Sequence, residues 1–247
     1  MTPKRSEQHG PSRDMFERQF EAEELKGAPL AARMRPASLD EYVGQEHVIG
    51  PGRVLRRALE AGRLPSIILW GPPGSGKTTL AYVIAHTTNS YFSAVSAVSA
   101  GVADLRKIID EARRRRSAQG QKTILFIDEI HRFNKAQQDA ILPYVEDGTI
   151  TLIGATTENP SFEVTSPLLS RSQVLMLEAL GREQIAMIIS RALEDKEKGL
   201  GLLKVELDEK ALDHLVGISR GDARIALNAL EIAAMATAPD AQGRRIV

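Results

Sequence analysis

Gly71, Gly76, Lys77 and Thr78 stand in the register G-x-x-x-x-G-K-[ST] within SIILWGPPGSGKTTL, residues 66–80. That spacing suits one chemistry, the cradling of a nucleotide's polyphosphate. Backbone N–H groups of the loop Gly71-Pro72-Pro73-Gly74-Ser75-Gly76, and of the helix start at Lys77-Thr78-Thr79, point inward around an anion. The glycines let backbone approach phosphate where a Cβ would clash. Lys77 supplies a flexible point charge for the β- and γ-phosphates, and the Thr78 hydroxyl is a ligand for Mg²⁺.

A second constellation lies in KTILFIDE, residues 122–129. Its apolar run does not alternate, as expected of a strand covered on both faces. Asp128 and Glu129 fall at the end of that run, where open α/β sheets bind ligands. This is a Walker B pattern: Asp128 joins the Mg²⁺ shell, and Glu129 acts as general base or orients the attacking water. The plainer alternative is that Asp-Glu caps the next helix. Downstream, Thr156, Thr157, Glu158 and Asn159 follow the strand at 150–155, and polar groups there can report on the γ-phosphate. Cysteine is absent, which excludes disulfides and thiolate metal sites; the five histidines contain no H-x-x-x-H pair, which argues against zinc.

The elements that must position these groups alternate. Strand-like runs at 67–70, 91–95, 122–129, 150–155 and 174–177 are separated by helical patterns at 77–86, 103–116 and 135–145. They predict an α/β fold with a five-stranded, parallel, doubly wound sheet. Pro143 is expected to kink or end its helix. From Gly181 three helical stretches, 182–195, 208–218 and 222–236, carry no strand signal and form a small all-α lid, with Asp208 and Asp222 as N-caps. The expected organisation is therefore a flexible tail over 1–28, the α/β unit over 29–180 and the helical unit over 181–240. In the tail, Met15, Phe16 and Phe20 could share one face of a short helix. The Pro- and Gly-rich stretch 29–52 reads either as a surface connector or as the apolar slot for a nucleotide's ring.

Lys+Arg and Asp+Glu both number 32 in the 247 residues, so no overall basic field announces a nucleic-acid partner. Local patches remain, such as Arg113 to Arg116, although cations at a helix C-terminus need no ligand. No apolar run approaches the roughly 18 residues of a membrane span, and no secretory signal opens the chain. A cytoplasmic protein without a membrane partner is expected.

Taken together, these residues resemble the AAA+ ATPases over roughly 29–236. The resemblance narrows at FIDEIHRFNKAQQD (126–139), Leu142-Pro143, Glu146 and GATTENPSF (154–162), a combined pattern similar to the replication-associated recombination protein A family and its eukaryotic relatives, the Werner-helicase-interacting ATPases. The resemblance implies an ATP- and Mg²⁺-dependent, clamp-loader-like ATPase. It would act on DNA at stalled forks, ends and single-strand/double-strand junctions, near the nucleoid, with single-strand-binding protein as a partner. It implies a ring-shaped homo-oligomer, commonly a tetramer, built by a further C-terminal domain that this sequence is expected to lack; the zinc finger of the eukaryotic relatives is not expected in a sequence without cysteine. By motif, Thr157 matches sensor 1, with Asn159 the alternative; Arg171 matches the arginine finger; Arg224 matches sensor 2; and Arg35, Val43, Gly44 and Gln45 match the adenine-side segment. A protein unfoldase of the same superfamily and a nucleotide-gated scaffold are the competing readings. Residues 96–101, SAVSAG, hold no aromatic with which to grip a threaded peptide, which counts against the unfoldase.

Overall fold

Five strands pair side by side: β1 (Ser66–Trp70), β2 (Tyr91–Ser96), β3 (Thr123–Asp128), β4 (Ile150–Thr156) and β5 (Ser172–Met176). The computed structural model, which describes residues 27–98 and 100–247, joins them into one parallel sheet in the order β2-β3-β4-β1-β5. The expectations for the N-terminal tail and for Met15, Phe16 and Phe20 lie outside the described residues, except at the tail's last two positions.

The non-alternating strands are explained by packing on both faces. Ile67, Leu69, Ile124 and Phe126 enter one core, while Ile68, Leu125 and Ile127 enter the other. Neighbouring residues of a strand point to opposite faces, so a strand covered twice must be apolar throughout. Among the described residues, eight α-helices precede or interleave these strands: α1 (Leu30–Arg33), α2 (Glu46–Ile49), α3 (Val54–Glu60), α4 (Lys77–Thr87), α5 (Val102–Gln119), α6 (Lys135–Glu146), α7 (Pro160–Glu163) and α8 (Ser166–Leu169). The first core takes Leu55 and Leu59 of α3 with Leu80 and Ile84 of α4; the second takes Leu105 and Ile109 of α5 with Ile141 of α6. Phe126 is almost fully buried and stacks on Phe92 at 5.6 Å between centroids. Truncating it to alanine would cost about 3–5 kcal/mol.

Pro143 does not end α6, which continues to Glu146. The proline sits in the last turn, so it forfeits a single N–H bond, and its own carbonyl still accepts from the Asp147 N–H at 3.0 Å. The start of α6 is fixed by a reciprocal cap: Asn134 Oδ1 accepts from the Gln137 N–H, and Gln137 Oε1 accepts from the Asn134 N–H.

Beyond the sheet, α9 (Arg182–Glu194), α10 (Glu209–Ser219) and α11 (Ala223–Ala236) pack around a third core. Asp208 and Asp222 cap α10 and α11 through their carboxylates. This unit also holds a two-residue parallel pair, β6 (Val205–Glu206) with β7 (Arg245–Ile246), too short to leave a period in the sequence. Leu30 of α1, near the start of the stretch read as part of the α/β unit, is buried in this third core instead. Its N–H donates to Glu231 of α11 at 2.9 Å, and Arg33 pairs with the same carboxylate at 2.8 Å.

Candidate nucleotide-binding cleft

The phosphate loop leaves β1 at Trp70 and turns into α4 at Lys77. Two of its glycines are required by what surrounds them. Gly74, at φ 71°, lies against the Asp222 carboxylate, which a Cβ would overlap. Gly76, at φ 92°, is the N-cap of α4, and a Cβ there would meet the Tyr42 hydroxyl at 2.6 Å. Both backbones are left-handed, a conformation glycine adopts without penalty.

Above the C-terminal edge of the sheet, the loop forms the floor of a cleft of about 480 Å³ between the sheet and the helical unit. Its polar lining comes from Gly74 to Thr79, from Asp128 and Glu129 after β3, from Thr156 and Thr157 at the end of β4, and from Arg224 at the start of α11. Its apolar lining comes from Met34, Val43, Leu180, Ile188 and Leu227. Arg35 and Pro73 also face it, and the Arg35 guanidinium lies 5.4 Å from the Tyr82 ring centroid. Met34 and Val43 bring the stretch 29–52 to this apolar side, beside the phosphate loop.

The charges are mutually arranged. Lys77 Nζ donates to the Gly71 and Pro72 carbonyls at 2.7 and 2.8 Å. Burial lowers its pKa below the usual lysine range and nearby Arg224 acts the same way, while Asp128 and Asp222 oppose the shift. Glu129 has a left-handed backbone (φ 53°) and pairs with Arg132 at 2.9 Å. A non-glycine residue in this region stores strain, which often accompanies function. Burial, with a contribution from Glu46, pushes the Tyr42 phenol up, so Tyr42 stays neutral on the cleft wall. His131 Nδ1 lies 3.0 Å from Thr156 Oγ1, which also accepts from the Glu158 N–H, so the turn after β4 is tied to the turn after β3.

Of the residues singled out in the sequence, Arg35, Val43, Pro73 to Thr79, Asp128, Glu129, Thr157 and Arg224 line this cleft. Six others do not. Gly71 and Pro72 lie behind the loop, where their carbonyls accept from Lys77. Gly44 packs against Leu180 and Gln184, and Gln45 is buried with its amide bonded to backbone. Asn159 caps α7, its oxygen accepting from the Ser161 N–H at 3.0 Å. Arg171 immediately precedes β5, at the sheet edge opposite the cleft, and pairs with Glu146 at 2.5 Å. Sequence reading missed Met34, Ile188, Arg191 and Asn228 as lining residues. Arg191 had a signal: it interrupts the apolar face of α9 between Ile188 and Ala192, and it donates to the Glu41 carbonyl at 2.6 Å.

Comparison with known proteins agrees with this geometry. The family model described as ATPase family associated with various cellular activities (AAA) matches residues 67–179, and the AAA C-terminal domain model matches 201–247. The chain is 52% identical over 219 residues to replication-associated recombination protein A of Escherichia coli K12, covering 89% of this chain and 49% of that protein. It is 47% identical to ATPase WRNIP1 of Dictyostelium discoideum, covering 83% of this chain and 23% of that protein. Among solved structures, the Thermotoga maritima RuvB Holliday junction branch migration motor superposes with a TM-score of 0.64 at 34% identity, covering 81% of this chain and 64% of that one. The chain thus spans about half the length of the bacterial relatives it matches. With both AAA models matched and about half of the aligned residues identical to these relatives, the chain belongs to the AAA+ ATPases, in the group of replication-associated recombination protein A and its relatives.

Proposed function

We propose that this chain binds ATP with Mg²⁺ in the cleft, hydrolyses it, and uses the cycle to act on DNA at stalled replication forks and ends. One observation carries the reading: residues 73–79 of the phosphate loop, Asp128, Glu129, Thr157 and Arg224 line one cleft, whose apolar side is formed by Met34, Val43, Leu180, Ile188 and Leu227. Lys77 and the loop N–H groups hold the phosphates. Thr78 and Asp128 offer hard oxygen donors, the kind Mg²⁺ takes in ones and twos while phosphate and water complete its shell. A Mg²⁺ ion, held by Thr78 and Asp128, would supply charge neutralisation for the transferred phosphoryl group. Glu129 accepts the proton of the water that attacks the γ-phosphorus, and ADP departs with its new charge facing Lys77 and Arg224. Thr157 is the γ-phosphate reporter, since the Asn159 oxygen is committed to its cap.

Arg171 faces away from its own cleft, which supports a role in a neighbouring subunit's site within a ring-shaped homo-oligomer, commonly a tetramer. The DNA assignment is supported by the relatives' replication and recombination names. The same kinship supports single-strand-binding protein as a partner and a cytoplasmic, nucleoid-associated location. No helix among the described residues is long and apolar enough to cross a membrane. Steady-state ATP hydrolysis with forked DNA, single strands, duplex or unfolded protein tests the reading: stimulation by forks or ends is expected. Stimulation by unfolded protein alone would favour a protein remodeller.

A further inference from the structure

Gln45 is 4% exposed, in a left-handed backbone (φ 62°), and its side chain turns away from the cleft. Its amide makes three bonds to two segments. Nε2 donates to the Ser75 carbonyl in the phosphate loop at 3.2 Å and to the Glu178 carbonyl at 2.7 Å. Oε1 accepts from the Glu178 N–H at 2.9 Å. The two bonds to Glu178 fix the amide's orientation, because a flipped group would set donor against donor and acceptor against acceptor. Glu178 lies in the five-residue passage between the end of β5 and the start of α9, the only covalent path from sheet to helical unit after β5. Neighbours of Gln45 reinforce the strap: Glu41 accepts from Arg191 of α9, the Tyr42 hydroxyl reaches the Gly76 carbonyl at 3.4 Å, and His47 Nε2 meets the Met176 carbonyl at 2.9 Å.

We propose that Gln45 is a positioning residue: it references the phosphate loop at Ser75 to the hinge peptide at Glu178, so that phosphate binding and the set of the helical unit are linked through one buried amide. Resting on the nucleotide-site reading above, this assigns to Gln45 a task other than touching the base. Small movements of the loop are transmitted because the amide has no slack. Each of its bonds is made to backbone: losing the amide leaves the buried Ser75 carbonyl without this partner and breaks two part-buried bonds to Glu178.

The test compares wild type, Gln45→Met and Gln45→Glu, with Lys77→Ala as the nucleotide-site control. Binding of a non-hydrolysable ATP analogue and amide hydrogen exchange are measured with and without it. Gln45→Met conserves volume and removes all three bonds; Gln45→Glu keeps an acceptor for the Glu178 N–H but loses both donated bonds. Both should bind the analogue about tenfold more weakly than wild type, the scale of one buried group left unpaired. In wild type the analogue should slow exchange at both 74–77 and 178–181; in the variants it should slow exchange at 74–77 only. If Gln45→Met does not fold, Gln45→Glu decides. Retained analogue protection at 178–181 in the folded variants overturns the linkage, even if affinity falls. If Lys77→Ala binds the analogue like wild type, the nucleotide-site reading fails and takes the linkage with it; a Lys77→Ala defect beside wild-type behaviour in both Gln45 variants sinks the linkage alone.

Discussion

Glu129 and Lys77 sit within one cleft but their substitutions should part company. Glu129→Gln keeps size and polarity while removing the base, so nucleotide affinity should hold and turnover should fall by roughly 10²–10⁴. Equal affinity with normal turnover would show that the proton goes elsewhere. Lys77→Ala should instead abolish measurable binding. The lysine also predicts a pH dependence. Burial holds its pKa below the ordinary lysine range, and the charged form is the one that attracts phosphate, so affinity should decline as pH rises, and Lys77→Met should flatten that decline. Thr157→Ala should slow turnover, whereas Asn159→Ala should cost only the α7 cap, about 1 kcal/mol of stability, read from a melting curve. At this scale the sequence was highly informative where chemistry demands fixed spacing, as at Gly76-Lys77-Thr78 and Asp128-Glu129. It was silent on Asn228, which reaches the cleft because α11 folds over it, and no local pattern encodes that; Arg191 showed only as a break in the apolar face of α9.

Among the elements, the contact between phosphate loop and α11 is the tightest constraint. Gly74 lies under Asp222, whose Oδ1 caps α11 through the Arg224 N–H at 2.8 Å. A methyl group at Gly74 would face both a left-handed backbone and that carboxylate. Gly74→Ala should therefore destabilise the fold by at least about 1 kcal/mol and displace the start of α11, weakening whatever Arg224 contributes. Adding Asp222→Ser, which shortens the side chain but keeps a capping oxygen, should recover part of the loss; a double mutant no better than Gly74→Ala would locate the strain in the backbone alone. The strands were legible for a related reason. A strand buried on two faces writes an unbroken apolar run, as in Ile124 to Ile127. Short helices such as α1 and α2 write too little period to be seen, and β6 and β7 none. The position of α1 is set by distant partners, the third core and Glu231, and so had no local signature.

For the whole molecule, the question is where the arginine of residue 171 acts. The cleft lies at the C-terminal edge of the sheet, and Arg171 precedes β5 at the other edge, separated by a strand of about 16 Å. Its guanidinium is paired with Glu146 at the end of α6 and half exposed, so it is held outward by a partner that can release it. We propose that Arg171, on that surface, serves another copy's cleft. Arginines supplied in trans are worth about 10³–10⁵ in turnover in other nucleotide hydrolases. Arg171→Ala should then lower turnover by orders of magnitude while leaving nucleotide affinity within a few-fold. The decisive measurement is complementation. Subunits carrying Lys77→Ala cannot bind nucleotide but still present Arg171; subunits carrying Arg171→Ala bind nucleotide but lack a neighbour's arginine. Each alone should be inactive, and mixtures should regain hydrolysis in proportion to the mixed contacts formed. Activity that rises with protein concentration in wild type, and in the mixture but in neither variant alone, is the expected pattern. Hydrolysis by Arg171→Ala at the wild-type rate would place the whole catalytic centre within one chain and leave the Glu146 pair a surface contact worth at most about 1 kcal/mol.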